Sequence, residues 1–391
     1  MKSYRHIAPP LRVYQGATCL QALGSELDRQ GSVRAVLFCG ATLARSSSLL
    51  DEVCEAMGHR LAAVFSSVKG NTPLPAVEAG AAECMRVNAD AIVALGGGSA
   101  MTTARAANIV HSEQRAVHVL CTSRDSSGRL NSPKLIAQKL PLMAIPTTPT
   151  TATVKAGSAV LDPSSGGRLS LYDPKTRAQA VFIHPALLAS ASDKLVVSSA
   201  LSTLSLAIEG IMSLRGDPFA DAMLMHAVRV LVAGLSRLAS SHDTDVLADL
   251  VAASILAGQG TDHTGAGLGL PLGHAISTRY GLETGLVDAI ILPHVLRFNA
   301  EAAATGIQKA VAALGGTLGV HESGAAAATV ASTLGNLFQS LSLPKRLRDV
   351  GVERSSLSEI AAIAFDDWFL QGNPRPIKDA AELLQLLEEA W

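Results

Sequence analysis

The chain has 391 residues, a formal net charge of −1 and only 4% aromatic residues. This length is typical of two domains, and the balanced charge offers no basic surplus for nucleic acid. None of the five cysteines lies in a CxxC pair, which predicts free thiols in a reducing compartment. We find no apolar leader and no apolar run long enough to cross a bilayer, so we expect a cytoplasmic protein without a membrane segment.

Short apolar runs alternate with helical stretches in the first half of the chain. We predict strands at 33–39, 60–68, 89–99, 118–123 and 140–148. Several of these runs are apolar on both faces, which is typical of parallel strands covered by helices on both sides. Residues 1–190 are therefore predicted to form an α/β nucleotide-binding domain with a doubly wound, mostly parallel sheet.

The pattern of apolar residues changes near residue 190, and almost every later segment is predicted to be helical. Apolar residues recur at three- and four-residue spacing in 200–214, 219–239 and 328–341. Breaks are predicted at 216–218, at the glycine-rich stretch 258–273 and at 342–344. Residues 191–391 are thus predicted to form an all-helical domain, and we expect ligands in the cleft between the two domains.

Two loops that follow predicted strands carry groups suited to phosphate. GGGS (96–99) opens a helix, where bare backbone amides and the Ser99 hydroxyl suit a diphosphate. The alternative is a tight turn, since this is not the GxGxxG fingerprint. IPTTPTTATVKAGS (145–158) offers five threonine hydroxyls for phosphate or ribose, or else forms an ordinary hydrophilic turn.

An ordered set of motifs carries a family resemblance: GGGS (96–99), IPTT (145–148), LAIEG (206–210), ILPHVLRFN (291–299) and NPRPI (373–377). Together they resemble the iron-containing alcohol dehydrogenases, relatives of dehydroquinate synthase, over nearly the whole chain. NTPLPAVEAG (71–80), SLPKRLRDVGV (342–352) and LLEEAW (386–391) are most similar to the maleylacetate reductases of that family. The resemblance implies an NAD(P)-dependent enzyme that acts on a small molecule and forms homodimers or larger homo-oligomers.

The resemblance also implies a set of residues that contact the cofactor. Gly96, Gly97, Gly98 and Ser99 would hold the cofactor diphosphate. Thr147 and Thr148 would lie along the cofactor, and Asn71 would lie near its adenosine end. Relatives that prefer NAD often carry an aspartate about where Gly40 stands here, and without that carboxylate a 2′-phosphate is not repelled, so the cofactor is expected to be NAD or NADP. Thr102, Arg105 and His184 replace an aspartate, a lysine and an aspartate of the family, which indicates a remodelled pocket.

The family's four metal-ligand positions also differ in this chain. By resemblance they are occupied by Ser202, Leu206, Leu270 and Thr284. Leucine has no donor atom and neutral hydroxyls are poor ligands, so we expect no metal there. A relocated site formed by Asp262, His263 and His274 is the alternative.

His274 matches the family histidine that lies near the nicotinamide and is thought to relay protons, a task that suits imidazole. The alternative is a structural histidine in a tight turn. We interpret His294 as a structural residue that helps to begin a helix. Arg279 is either a partner for a substrate carboxylate or a surface charge.

These features favour metal-independent reduction of a small carbonyl or an unsaturated oxo acid, as in maleylacetate reductases. Protonated His274, with Thr284 or Ser202 as donors, would stabilise the oxyanion that a metal normally stabilises. Two alternatives stay open. One is a non-redox lyase or isomerase that uses His274 as a base, and the other is a non-catalytic nucleotide-binding homologue on the same fold.

Overall fold

The computed structural model describes residues 3–45, 47–125, 130–238, 243–317 and 323–391. The chain divides into two compact units, Pro9–Ala191 (the α/β unit) and Ser192–Trp391 together with Met1–Ala8 (the helical unit). The sequence-based division at residue 190 did not anticipate that the N-terminal residues join the helical unit. They do so because His6 hydrogen-bonds to Asp217 and packs against Phe219.

The described strands all lie in the α/β unit: β1 Arg12–Gln15, β2 Ala35–Gly40, β3 Leu61–Val68, β4 Ala91–Gly96, β5 Ser123–Arg124, β6 Leu130–Asn131, β7 Leu142–Pro146, β8 Gly157–Leu161, β9 Arg168–Tyr172 and β10 Ala178–Ile183. Six of them form one sheet in the order β1-β10-β7-β4-β2-β3, and every pairing in it is parallel. The pairs β5-β6 and β8-β9 are antiparallel.

Helices follow the strands of this unit: α1 Gln21–Arg29, α2 Ala41–Arg45, α3 Ser47–Met57, α4 Leu74–Arg86, α5 Gly98–Glu113, α6 Val117–Leu120 and α7 Pro185–Ala189. Strands β4 and β7 are buried along their whole length, as the uninterrupted apolar runs predicted. The five cysteines are free thiols, also as predicted.

One predicted strand, 118–123, is wrong. Val117–Leu120 forms the short helix α6, and only Ser123–Arg124 is extended, in an antiparallel pair outside the main sheet. Val117 and Leu120 are buried while the two residues between them are exposed. That spacing of three belongs to a helix rather than a strand.

The helical unit contains α8 Asp193–Met212, α9 Pro218–Leu238, α10 Thr244–Thr264, α11 Gly269–Tyr280, α12 Thr284–Phe298, α13 Ala304–Ala313, α14 Ser323–Ser340, α15 Leu357–Phe365 and α16 Ala380–Ala390. None of its described residues lies in a strand. The predicted fold class is therefore confirmed: a parallel-sheet α/β part followed by an all-helical part.

The predicted glycine-rich break at 258–273 is wrong over most of its length. Helix α10 continues through Gly258 and Gly260 to Thr264, and only 265–268 separates it from α11. A Cβ on Gly260 would lie 2.7 Å from Leu224 Cγ on α9. This glycine therefore serves close packing between two helices rather than a reversal of the chain.

Two helices, α8 and α9, are long and apolar enough to cross a membrane by length and composition. The expectation of no membrane segment rests on the lack of long uninterrupted apolar runs, and it stays a prediction, because the core helix of a bundle meets the same criterion. In the most apolar 18-residue segment of α8, 72% of the residues are buried inside the protein, and in that of α9 the share is 39%. Helix α8 packs against α9, α10 and α12, as the core helix of a bundle does.

Candidate active site

The glycine loop lies where two neighbouring parallel strands end. Gly96 closes β4 with a φ of +139°, a conformation that side chains disfavour, and Gly97 caps the start of α5. Gly96 is in register with Pro146, the last residue of β7, and the Thr147 amide donates to the Gly96 carbonyl at 3.0 Å. The glycine and threonine loops are therefore adjacent at the carboxyl edge of the sheet.

The threonine loop closes over the glycines. A Cβ on Gly97 would lie 3.0 Å from Thr148 Oγ1, and one on Gly98 would lie 3.2 Å from Thr150 Oγ1. Thr148 Oγ1 is buried and has no hydrogen-bond partner among the described residues. An unsatisfied buried hydroxyl costs about 1–3 kcal/mol, a cost that a ligand oxygen would remove. This pair of loops fits a phosphate group.

The strand order places the other predicted cofactor contacts at the same edge. From β2 the chain adds β3 on one side and then β4 on the other, and ligands of such sheets bind at this reversal. Gly40 ends β2 there, and a Cβ on it would meet no atom closer than the Val68 carbonyl oxygen at 3.8 Å. Asn71 lies in the exposed turn between β3 and α4, with a φ of 60°.

The residues that depart from the family pattern in this unit make contacts within the protein. Arg105 is fully buried and donates to the carbonyls of Gly157, at 2.7 Å, and Ala152. His184 is buried beyond the end of β10, and its Nε2 donates to the Ala17 carbonyl at 3.1 Å. Both side chains therefore fasten loops of the α/β unit.

Three helices of the helical unit carry the positions that the resemblance assigns to metal ligands. Ser202 and Leu206 lie one turn apart on α8 and are half-buried, whereas Thr203–Ser205 and Ala207–Met212 are buried. On α11, half-buried Leu270 lies one turn before His274, which is also half-buried, and Thr284 begins α12. The helices pack on one another, so these positions belong to one region of the unit.

A buried acid, Asp288, lies in this region. It is one turn beyond Thr284, it is only 3% exposed, and it is hydrogen-bonded to the Ser202 hydroxyl. Its Oδ1 faces Gly273, where a Cβ would clash with it, and has no hydrogen-bond partner within the described chain. Burial raises the pKa of Asp288 well above its usual value, the hydrogen bond with Ser202 lowers it, and the charge of Glu209 raises it further, so the net shift favours the neutral acid.

Asp288 is not among the residues that the sequence motifs indicate. The signal was present, because a lone acid within the apolar run LVDAIIL (286–292) has to be buried if its neighbours are. What the sequence could not supply is its contact with Ser202, which comes from a different helix.

Glu209, in the LAIEG motif, supports the start of α11. It is buried and accepts hydrogen bonds from the amides of Gly267 at 2.8 Å and Gly269 at 2.7 Å. Burial raises its pKa to about 7, although these amides favour the ionised form. The motif that carried part of the resemblance thus holds the connection before His274.

Two asparagines from the other motifs complete this support. Asn373 of NPRPI accepts from the Leu268 amide at 3.3 Å and exchanges hydrogen bonds of 3.0 and 2.8 Å with Asn299 of ILPHVLRFN. Both side chains are buried. Three motifs far apart in the sequence therefore converge on the 265–268 connection and fix the helix that presents His274.

The remaining candidates are placed differently from the sequence interpretation. His294 lies inside α12, so its predicted place at a helix start is wrong, while its structural role stays a prediction. Arg297 donates to its Nδ1 at 2.8 Å, and burial, with the Arg297 charge, lowers its pKa to about 4. Arg279 pairs with Glu359 at 2.7 Å on the surface. Among the described residues His263 joins a cluster with His6 and Asp217, without Asp262 or His274.

Comparison with known proteins identifies the family. Residues 10–185 match the family described as iron-containing alcohol dehydrogenase, and residues 196–391 match its C-terminal part. The chain belongs to the iron-containing alcohol dehydrogenase family. It is therefore an oxidoreductase of the alcohol dehydrogenase type, and the family resemblance inferred from the ordered motifs is confirmed.

Individual relatives of this family member span nearly its whole length. It is 27% identical to lactaldehyde reductase of Escherichia coli, over 96% of this chain and 97% of that protein. It is 25% identical to maleylacetate reductase of Sphingobium indicum, over 97% and 95%. The structure of sulfoacetaldehyde reductase from Bifidobacterium kashiwanohense in complex with NAD+ has the same fold, with a TM-score of 0.85, 19% identity and coverage of 100% and 99%.

Proposed function

We propose that this dehydrogenase-family chain uses NAD or NADP to reduce a small carbonyl or unsaturated oxo acid, as maleylacetate reductases do, without a catalytic metal. The observation that carries the proposal is the hydrogen-bonded pair of Ser202 and buried Asp288. This pair lies in the region where relatives would hold a metal, and it offers hydrogen-bond donors instead of metal ligands.

The glycine and threonine loops support the cofactor. Gly97 and Gly98 leave room for a diphosphate against backbone amides, and Thr148 Oγ1 has hydrogen-bonding capacity to spare. The solved sulfoacetaldehyde reductase holds NAD+ on the same fold. A bound nicotinamide supplies the hydride, and this chain's residues need only bind and orient it.

The four family ligand positions do not fit a divalent metal. Two are leucines without a donor atom, and two are neutral hydroxyls. Asp288, the carboxyl group beside Ser202, has a raised pKa that disfavours the anionic form a metal would need. We therefore derive no catalytic step through a metal.

Ser202 and His274 supply the alternative to a metal. With Asp288 neutral, its O–H would donate a hydrogen bond to Ser202 Oγ and keep its proton, and the Ser202 hydroxyl hydrogen would then be directed to a substrate oxygen. Protonated His274 is a second donor and the source of the proton that the reduced oxygen takes up. Fixed donors of this kind stabilise a developing oxyanion strongly in a site with little water. Asp288 acts in this scheme as a positioning residue.

The proposed substrate class follows from the weaker activation of the substrate carbonyl in a site without a metal. A metal contributes several kcal/mol of Lewis-acid stabilisation, so a site without one is better suited to a substrate that is already activated. Conjugation or an adjacent carboxylate provides such activation. Maleylacetate, named in the Sphingobium relative, has this chemistry.

The test is NADH and NADPH oxidation over a panel of unsaturated oxo acids and simple aldehydes, before and after EDTA treatment. We expect turnover of an oxo acid at a rate that neither EDTA nor added Fe²⁺ or Zn²⁺ changes. A rate lost on chelation and restored by metal would overturn metal independence. Cofactor binding without any turnover would favour the non-catalytic alternative, and no cofactor binding would reject the reductase proposal.

A further inference from the structure

We propose that His6, Asp217 and His263 form a binding site for a divalent transition metal such as Zn²⁺ or Co²⁺. One potential ligand atom from each residue lies within 4.8 Å of the other two. The three come from separate segments of the helical unit, namely its N-terminal residues, the start of α9 and the last turn of α10. Two imidazoles and one carboxylate are the donor set that zinc prefers when cysteine is absent.

The closest pair in this cluster already has coordination spacing. His6 Nδ1 and Asp217 Oδ2 are 3.1 Å apart. In a tetrahedral site with bonds of about 2.0–2.1 Å, neighbouring ligand atoms are roughly 3.3 Å apart. An ion between them would replace the present hydrogen bond without moving either backbone, and the His263 ring would supply the third ligand.

The groups around the cluster orient its ligands as the outer shell of a metal site does. Asp217 Oδ1 accepts from the amides of Phe219 at 2.8 Å and Ala220 at 3.0 Å, which leaves Oδ2 directed to His6. His263 Nε2 donates to the Ile7 carbonyl at 3.1 Å. Metal-binding histidines characteristically donate their other ring N–H to a carbonyl, and here that bond leaves Nδ1 as the unprotonated nitrogen.

The two imidazoles lie face to face, and because a ring nitrogen binds a metal through a lone pair in the ring plane, one ring has to turn about its side-chain bonds for both to bind the same ion. The His6 and His263 rings are stacked at a centroid distance of 3.7 Å and an interplanar angle of 19°. The Phe219 ring lies 5.0 Å from the His6 ring. Asp217 is buried while both histidines are half-buried, so binding needs a side-chain rotation of a half-buried ring and no movement of the buried carboxylate.

A cavity reaches the carboxylate side of the cluster. Asp217 and Tyr4 line a cavity of about 730 Å³ whose walls all belong to the helical unit. Three protein ligands leave a fourth coordination position, which water from this cavity would fill. The site is independent of the proposed reaction, and its role would be to fasten the N-terminal segment to α9 and α10.

The experiment uses the full chain, treated with EDTA and desalted, then titrated with Co²⁺ and with Zn²⁺ against a chromophoric chelator. We expect one equivalent of metal, visible ligand-field bands for Co²⁺ and a higher melting temperature on binding. His263→Ala and Asp217→Asn should each weaken binding by more than about 100-fold, beyond the loss typical of an outer-shell partner. Asparagine still caps α9, so Asp217→Asn separates ligand loss from misfolding.

His294→Ala is the matched control, because it removes a half-buried histidine outside the cluster, and its metal affinity should equal that of the wild type. No stoichiometric binding, or binding that survives both His263→Ala and Asp217→Asn, would overturn the site. Binding lost in Ser202→Ala with Thr284→Ala, but not in His263→Ala, would place the metal at the family positions. The reductase proposal is tested separately, since its readout is turnover after chelation.

Discussion

The α/β unit and the helical unit contribute to function through different kinds of chemical groups. The glycine loop offers backbone amides, which persist through sequence change as long as Gly97 and Gly98 remain small. The helical unit offers side chains, and the proposed metal independence rests on four positions that, by the family resemblance, carry serine, leucine and threonine instead of metal ligands. A binding site formed by backbone amides can therefore be recognised in a distantly related sequence, whereas a site formed by side chains can be lost through a few substitutions.

Within the helical unit, the residues that support the fold also differ from those at the family's ligand positions. Glu209, Asn299 and Asn373 still hold the connection before α11, whatever occupies the ligand positions. Fold support and chemistry are thus carried by different residues, and one can change without the other. Single substitutions can test whether the two units contribute to function in these different ways.

Gly97→Val should have the largest effect on cofactor binding. An added Cβ would already lie 3.0 Å from Thr148 Oγ1, and two further methyl groups would occupy the space proposed for the diphosphate. We expect NADH and NADPH affinity to fall by at least about 100-fold in a fluorescence titration, a loss of roughly 3 kcal/mol. Gly335→Val is the control, since a Cβ there meets no atom within 4 Å. Unchanged affinity in Gly97→Val would mean that the loop is only a turn.

His274→Ala should reduce turnover without affecting the glycine loop. Loss of a general acid typically costs 10²- to 10⁴-fold, and we expect about 1,000-fold in kcat with the cofactor Kd unchanged. His294→Ala should leave both constants near their wild-type values. Parallel losses of turnover and cofactor affinity in His274→Ala would assign this histidine a structural role.

Much of the fold could be predicted because its strands are uninterrupted apolar runs and its long helices have regular apolar spacing. The errors have identifiable physical causes. The run 118–123 is short, apolar and ambiguous in period; residues 118–120 lie in α6, and of the rest only Ser123 lies in a strand. Gly260 lies in a glycine-rich stretch that predicts a chain break, but it serves contact with Leu224, a partner 36 residues earlier that no local pattern reveals.

The candidate site was only partly predictable for the same reason. Gly96–Ser99 and Thr147 could be found because each loop is continuous in sequence and follows a strand. Asp288 could not be connected with Ser202, because helices α8 and α12 bring them together across 86 positions. The His6, Asp217 and His263 cluster likewise depends on three segments that only the folded unit assembles.

Ser202→Ala should have an intermediate effect on the helical side. It removes one proposed oxyanion donor, a change that typically costs 10²- to 10³-fold in kcat, and we expect the lower end, about 100-fold. Asp288→Asn should retain most of the rate, because its amide can still donate to Ser202 Oγ, whereas Asp288→Leu should match Ser202→Ala. Equal rates in Asp288→Leu and wild type, measured with folding checked by circular dichroism, would contradict the relay.

Glu209 tests whether the framework is separable from the chemistry. Its pKa is raised from 4.5 to about 7, so the folded chain keeps a proton that the unfolded chain has lost between these pH values. Stability contributed by this group is therefore lost as the pH rises through this window, by up to about 3 kcal/mol. Urea unfolding at pH 5 and pH 8 should show a smaller pH-dependent loss in Glu209→Gln than in the wild type. Identical losses would mean that Glu209 does not titrate there.

Gly40→Asp should have the smallest effect, on cofactor choice alone. A Cβ at the end of β2 has free space, since the nearest atom is 3.8 Å away, so the fold should tolerate the aspartate. Its carboxylate would accept a hydrogen bond from the ribose of NADH and repel the 2′-phosphate of NADPH. We expect the ratio of NADPH to NADH affinity to fall by about tenfold, or 1.4 kcal/mol, in the same fluorescence titration. An unchanged ratio would mean that the adenosine ribose does not lie beside β2, and the placement of the cofactor at this edge of the sheet would have to be revised even if the glycine loop binds its diphosphate.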